Sequence, residues 1–311
     1  GVKLVSIAIT TPPAKTTYVS GETFSPAGMI VTATYSNGAT LKATGYSFSP
    51  DTALTDGTTS VTIEYTEGGV TKTAEQAITV VHRLTKIEIT AQPTKKVYEY
   101  GDSFQSAGMV VKATYSDGAT ANVTGYSCSP TVLSTVGTQT ITVSYTENGV
   151  TKTATTSVTV NRKTISAVPS QSGTLTYTGS SQSPSWSNYS TTQLTIGGTT
   201  SGTNAGSYTA TFTPKSNYRW ADGTTTAKSV SWSIGKAAGS LSISPTSMTL
   251  DTTTKSKTIT VTRSGNGTIS AVSSNTAAAT VSVSGNTVTV TGKANGSAKI
   301  TISVAAGTNY T

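Results

Sequence analysis

Apolar and polar residues alternate with a period of two through much of this chain. Val5–Ile9, Met29–Tyr35, Ser60–Thr66 and Val70–Val80 all show it. That period puts successive side chains on opposite faces of a strand, so each stretch reads as a strand with one buried face. Pro12-Pro13 ends the first of them. Ser36-Asn37-Gly38 then turns the chain, and Thr40–Phe48 reads as the returning strand. Asn-Gly is a hairpin signal because both central residues of a type I′ turn need positive φ. Glu67-Gly68-Gly69 marks a second hairpin. No window holds a helical period with caps. The reading is about seven short strands per segment, separated by turns, which is the pattern of a sandwich.

Shifted by 80 residues, the chain meets itself. Leu4–Val80 and Leu84–Val160 share 41 of 77 positions with no gap. A long internal repeat fixes architecture before any other signal. The shared residues are turn glycines, such as Gly38/Gly118 and Gly69/Gly149, and alternating apolar residues, such as Ile7/Ile87 and Ile9/Ile89, while Ile63/Val143 keeps the apolar character. Asp117-Gly118 and Asn148-Gly149 repeat the hairpin signals.

Motif content narrows this further. The run Ile-x-Ile, Pro-x-Lys-x-x-Tyr, Gly-Glu-x-Phe, Ala-Gly-Met-x-Val-x-Ala-x-Tyr-Ser-Asn-Gly and Gly-Thr-x-x-Val-x-Ile-x-Tyr stands at Ile7–Tyr65 and, with small changes, at Ile87–Tyr145. It resembles the group 3 bacterial immunoglobulin-like domain. Ala279–Gly292 and Gly296–Val304 make residues 237–311 similar to the group 2 type. Residues 162–236, with Gly202–Phe212, Asn217–Thr224 and Val230–Ile234, resemble the small β-rich modules interspersed with such domains. These resemblances imply extracellular sandwich modules repeated along surface proteins, adhesins and phage tail or capsid proteins. They bring no catalytic residues.

The fold class expected is therefore all-β: four tandem small antiparallel β-sandwich (immunoglobulin-like) modules, at 1–82, 83–161, 162–236 and 237–311, in an extended rod. The linkers are short, with only His82-Arg83 between the first two modules. A globular chain of this length has a radius of gyration of about 19–20 Å. Modules laid end to end should exceed twice that in small-angle scattering.

Charge adds little to this picture. The net charge is +8, carried by the second half because acids are missing there. Residues 162–311 contain only Asp222 and Asp251, and no block of five like charges occurs. Nucleic-acid binding needs a concentrated basic face, so it is not expected. No apolar run approaches the 18 or so residues that span a bilayer. The sequence reads as the ordered, monomeric part of a longer chain.

Candidate chemistry is sparse. His82 is the only histidine and reads as a solvated linker residue. Cys128 is the only cysteine; its repeat partner is Phe48, so the position reads as apolar. Asp51, Asp56, Glu64 and Glu75 become Thr131, Val136, Ser144 and Thr155 in the copy, which favours a surface role. No enzyme activity, cofactor or metal-ligand set is expected, although a calcium ion at a junction of scattered acids stays open. The tryptophans, Trp186, Trp220 and Trp232, all lie in 162–236. Large rings in a Ser- and Thr-rich module fill the core first. Rings on polar loops can also stack on sugars, so Trp186, Tyr189, Tyr218 and Trp220 are the candidate ligand contacts. The functional expectation is a non-catalytic extracellular spacer or adhesion region of a bacterial surface or secreted protein. Its partner would be a host or cell-surface protein or a glycan. The alternatives are a carbohydrate-binding accessory region and a phage tail or capsid decoration module.

Overall fold

The computed structural model describes all 311 residues. The chain is all-β, with no helix. It packs as two compact units, Gly1–Asn161 and Arg162–Thr311. Within them, the named strands pair only inside four stretches: Leu4–Val81, Leu84–Asn161, Lys163–Gly235 and Leu241–Val304.

In the first stretch, Leu4–Thr11 and Thr40–Lys42 flank Ile30–Tyr35 in one antiparallel sheet. Ser47–Ser49, Ser60–Glu67 and Val70–Ala77 form the facing sheet. The alternation works as the sequence pattern requires: Val31, Ala33, Val61 and Ile63 are fully buried, and their neighbours are not. The expected returning strand is split. Thr40–Lys42 stays in the first sheet, while Ser47–Ser49 crosses to the second. Gly45, at φ 73, bends the chain between them, and buried Ala43 still donates to Val31 O at 2.8 Å.

The turns also divide. Gly68-Gly69 and Asn148-Gly149 have positive φ at both residues, as a type I′ turn demands. At Asn37-Gly38 only the glycine does, with φ 81. There the Asn37 Oδ1 accepts the Ala39 N–H at 3.0 Å, and Asp117 does the same for Ala119 at 2.9 Å. That side-chain bond favours a turn with a single left-handed residue.

Beyond antiparallel pairing, parallel contacts close the modules. Thr17–Val19 runs parallel to Thr79–Val81, and Val97–Glu99 to the end of Val150–Asn161. In the third stretch Lys163–Ile165 runs parallel to Tyr218–Trp220, and Leu175–Thr176 to Lys228–Gly235. These short parallel contacts supplement the antiparallel sandwich pairing that the sequence pattern leads one to expect. Antiparallel hairpins connect neighbours in sequence, whereas an early and a late strand of a module are joined by no hairpin and can run side by side in the same direction.

A buried tyrosine braces this closure in each copy. Tyr18 is 1% exposed; its hydroxyl donates to Lys15 O at 2.9 Å and accepts the Ser25 N–H at 3.2 Å. Tyr98 repeats this with Lys95 O and the Gln105 N–H, at 3.1 and 3.2 Å. Leaving those backbone groups unpaired costs about 1–3 kcal/mol. In a domain of this size about 1 kcal/mol shifts the melting temperature by about 4–8 °C. Tyr98→Phe should therefore lower the melting temperature of the second copy by several degrees in calorimetry. An unchanged melt would mean that the hydroxyl carries none of the brace.

Candidate partner-contact surface

The third stretch places two of the four candidate rings, Trp186 and Tyr189, against one core residue. Phe212 is fully buried at the centre of its sheet. Trp186 meets it edge-on, with centroids 4.9 Å apart, and Tyr189 does so at 5.4 Å. Both rings are half-buried, so part of each stays in water. Tyr218 is half-buried on the short strand beside Lys163–Ile165.

Trp220 is corrected. It is 1% exposed, and its indole N–H donates to Thr226 O at 2.8 Å. A ring sealed in this way is core and cannot stack on a ligand. The neighbouring turn explains its burial. Lys228 Nζ sits 5.3 Å from the Trp220 ring centroid and 2.6 Å from Asp222. Asp222 also accepts from the Thr224 N–H and hydroxyl, at 2.9 and 2.6 Å. Trp232 likewise is core: it stacks on Tyr208 at 4.5 Å and donates to Thr199 O at 2.7 Å.

Beside Tyr189 lies a shallow depression of about 320 Å³. Thr164, Ser166, Asn188, Tyr189, Ser190 and Gln193 contribute to its wall. Asn188 is held in the left-handed region at φ 61, which aims the chain into Tyr189. Below it, Leu194 is buried and its N–H donates to Ser190 O at 2.9 Å, so the Ser190–Leu194 turn is anchored to the core. Hydroxyls and amides beside one aromatic ring suit a neutral polyhydroxylated ligand. Asn188 and Gln193 carry no sequence signal as ligands, because Asn and Gln recur on every polar loop here.

The remaining candidates take structural places. His82 is not simply solvated. It stacks on Tyr115 at 3.9 Å, and its Nδ1 lies 3.2 Å from Asp117 Oδ2. Cys128 is half-buried against the second core, and burial pushes its thiol pKa up. Glu67 accepts the hydroxyls of Tyr35 and Tyr65. Glu75 accepts from Thr62 at 2.7 Å. Asp251 accepts from the N–H groups of Thr253 and Thr254 at 2.8 and 2.5 Å, which makes it a turn anchor. Asp222 and Asp251 thus serve separate turns and do not face one cleft.

This architecture defines a tandem immunoglobulin-like β protein. Residues 11–80 and 91–160 each match the bacterial Ig-like domain (group 3). The chain carries two domains of that family in immediate succession. No curated protein matches the chain. Among solved structures, domains 4–9 of the surface layer protein SbsC share 12% identity over 88% of this chain, with a TM-score of 0.24. The chain spans 56% of that structure's length. The N-terminal four Ig domains of Dscam1 isoform 6.44 share 11% identity, covering 94% of this chain and 93% of that one, also at 0.24.

The Asp222 turn yields a pH test. Lys228, and then the Thr224 hydroxyl and N–H, hold its carboxyl well below the usual range. A depressed carboxylate contributes fully above its unfolded value of about 3.9 and loses that contribution as pH falls below it. Asp222→Asn should melt below wild type at about pH 5, with the gap closing towards about pH 2. An equal gap at both values would show that the charge of Asp222 is irrelevant.

Proposed function

We propose that the chain is a non-catalytic extracellular spacer of a bacterial surface or secreted protein, holding its modules in defined succession towards a partner. The junction between the two group 3 domains is the observation that carries this reading. Arg83 N–H donates to the Ser116 hydroxyl at 2.8 Å, and Ser116 N–H donates to Arg83 O at 2.9 Å. The His82 stack on Tyr115 adds a side-chain contact to the same linker. Lys3 and Ser36 make the same reciprocal pair at the entry of the first domain, at 3.0 and 2.9 Å. Each domain therefore grips the chain that enters it. Gripped linkers resist bending, and a spacer needs that property.

Protease shaving and immunogold labelling of intact cells test the location. Surface signal on cells supports the spacer reading, signal on phage particles moves it to a virion, and a purely cytoplasmic signal defeats it. The grip itself is tested by aligned-state NMR of His82→Ala combined with Ser116→Ala. Wild-type domains should share one alignment tensor, and the double variant should need two. A shared tensor in both would remove the linker contacts from the mechanism.

The depression at Tyr189 supports a second reading, a carbohydrate contact within the third stretch. Glycan arrays of wild type and Tyr189→Ala should then differ, with binding lost in the variant. Trp220→Ala is the wrong probe, because truncating a buried Trp costs about 3–5 kcal/mol of stability. No glycan bound by the wild type would leave the spacer reading alone.

A further inference from the structure

The junction between the two group 3 domains carries ionisable groups that the repeat lacks elsewhere. A shift of 80 residues sets Val2 against His82 and Asn37 against Asp117. Asp56 meets Val136, or Thr135 once the one-residue slip in that loop is allowed, and neither ionises. The linker grip is present in both copies, as Lys3 with Ser36 and as Arg83 with Ser116. What the junction adds is one histidine and two carboxylates.

These three groups meet. His82 and Asp117 line one depression of about 280 Å³ together with Asp56, Gly57, Val80 and Val81. Asp56 lies in the loop before Ser60–Glu67 of the first domain, Asp117 in a turn of the second, and His82 in the linker between them. The imidazole stacks on the Tyr115 ring at 3.9 Å, with 18° between the planes. Its Nδ1 lies 3.2 Å from Asp117 Oδ2. The other Asp117 oxygen accepts the Ala119 N–H at 2.9 Å, which fixes the carboxylate in place. Asp56 Oδ1 is sealed from water and has no hydrogen-bond partner.

A positive charge on the ring is favoured from each side. Hydrogen bonds between charged partners are about twice as strong as neutral ones, so the contact with Asp117 tightens. The Tyr115 ring presents a π face to the cation, and Glu147 lies beside the Tyr115 hydroxyl, with Tyr145 next to it. Asp56 adds a carboxylate from the first domain, and a cation in the shared depression offsets the cost of its unpaired oxygen. The neighbouring cation, Arg83, has its Nη1 against Gly21.

We propose that His82 is a proton-operated latch: its charged form holds the two group 3 domains in one orientation, and its neutral form lets their junction bend. The proposal rests on the linker grip that supports the spacer reading. Histidine ordinarily changes charge between about pH 5 and 8. Asp117 stays ionised across that range, because the Ala119 N–H above all, and then His82, hold its carboxyl below the usual value. The hold is therefore fullest at the acid end and weakens as pH rises. Both His82 and Asp117 are more than a third exposed, at 39% and 37%, so the bias is modest. It amounts to about two- to fivefold in the ratio of held to bent junctions.

Residual dipolar couplings of the full chain, recorded at about pH 5.5 and about pH 8, test the latch. At the lower value the two domains should share one alignment tensor. At the higher value their alignment magnitudes should part, as the bent fraction grows by about two- to fivefold. His82→Gln removes the proton site and should give the same couplings at both values. Asp117→Asn is a mild change, because Asn37 already fills that slot in the first copy and accepts the Ala39 N–H at 3.0 Å. It should lose most of the pH response. One shared tensor at both values in the wild type overturns the latch and leaves the linker grip standing. Separate tensors at both values overturn the two together. A pH response that survives in His82→Gln assigns the proton to another group, and one that survives intact in Asp117→Asn removes the ion pair; either result overturns the proposal.

Discussion

Sheet closure is the constraint on which the rest of this structure depends. Each stretch has few large side chains and many Ser and Thr residues, so its core is thin. A thin sandwich loses a large share of its buried area if one strand is missing, because small domains bury proportionally less surface. In three stretches a parallel contact between an early and a late strand seals the edge. Tyr18 and Tyr98 sit at those contacts and satisfy backbone groups that no strand reaches.

Much of this was legible in the sequence, for a local reason. A period of two reports which face is buried, and it located the strands at Ile30–Tyr35 and Ser60–Glu67 to within a residue or so. Gly68-Gly69 and Asn148-Gly149 reported two hairpins correctly. What failed was non-local or depended on small backbone choices. Nothing local separates a strand that returns to its own sheet from one that crosses, so Thr40–Phe48 read as continuous. The ungapped repeat also hid a slip. Leu54 and Leu133 are 79 residues apart, yet both are core and both accept a hydrogen bond from the equivalent glycine, Gly21 or Gly101. Counting by 80 pairs Leu54 with Ser134 instead. A one-residue slip in a loop leaves identity high while moving a core residue.

The candidate surface was legible only in part. Aromatics in a Ser- and Thr-rich stretch were the right residues to inspect, but ring burial depends on tertiary partners. Trp220 and Tyr218 are two residues apart on one strand and therefore share a face, yet only Trp220 is sealed, because Thr226 and Lys228 fold back over it. Tyr189 stays accessible beside Asn188, whose left-handed backbone the sequence could not announce. The contacts of the part-exposed His82 were hidden for a similar reason. Its partners, Tyr115 and Asp117, lie more than thirty residues on.

These corrections bear on function through the junctions. A tandem array transmits orientation only if the linker is held more firmly than thermal bending can loosen it. Single surface hydrogen bonds contribute little, about 0.5–1.5 kcal/mol each. One backbone–hydroxyl bond, one backbone–backbone bond and a ring stack act on the same two residues, His82 and Arg83, so the linker is held at several points at once. The same grip recurs where the fourth stretch begins. There Ala237 is held on both sides by the tail, and Asn309 reaches back to Ala205 N–H at 2.8 Å and to Asn204 at 3.1 Å. Tyr310 adds an edge-on contact to Tyr177 at 5.4 Å. Different residues thus solve one mechanical problem twice: a short linker is built into the neighbouring module rather than left between modules. That arrangement suits the spacer role proposed for the chain.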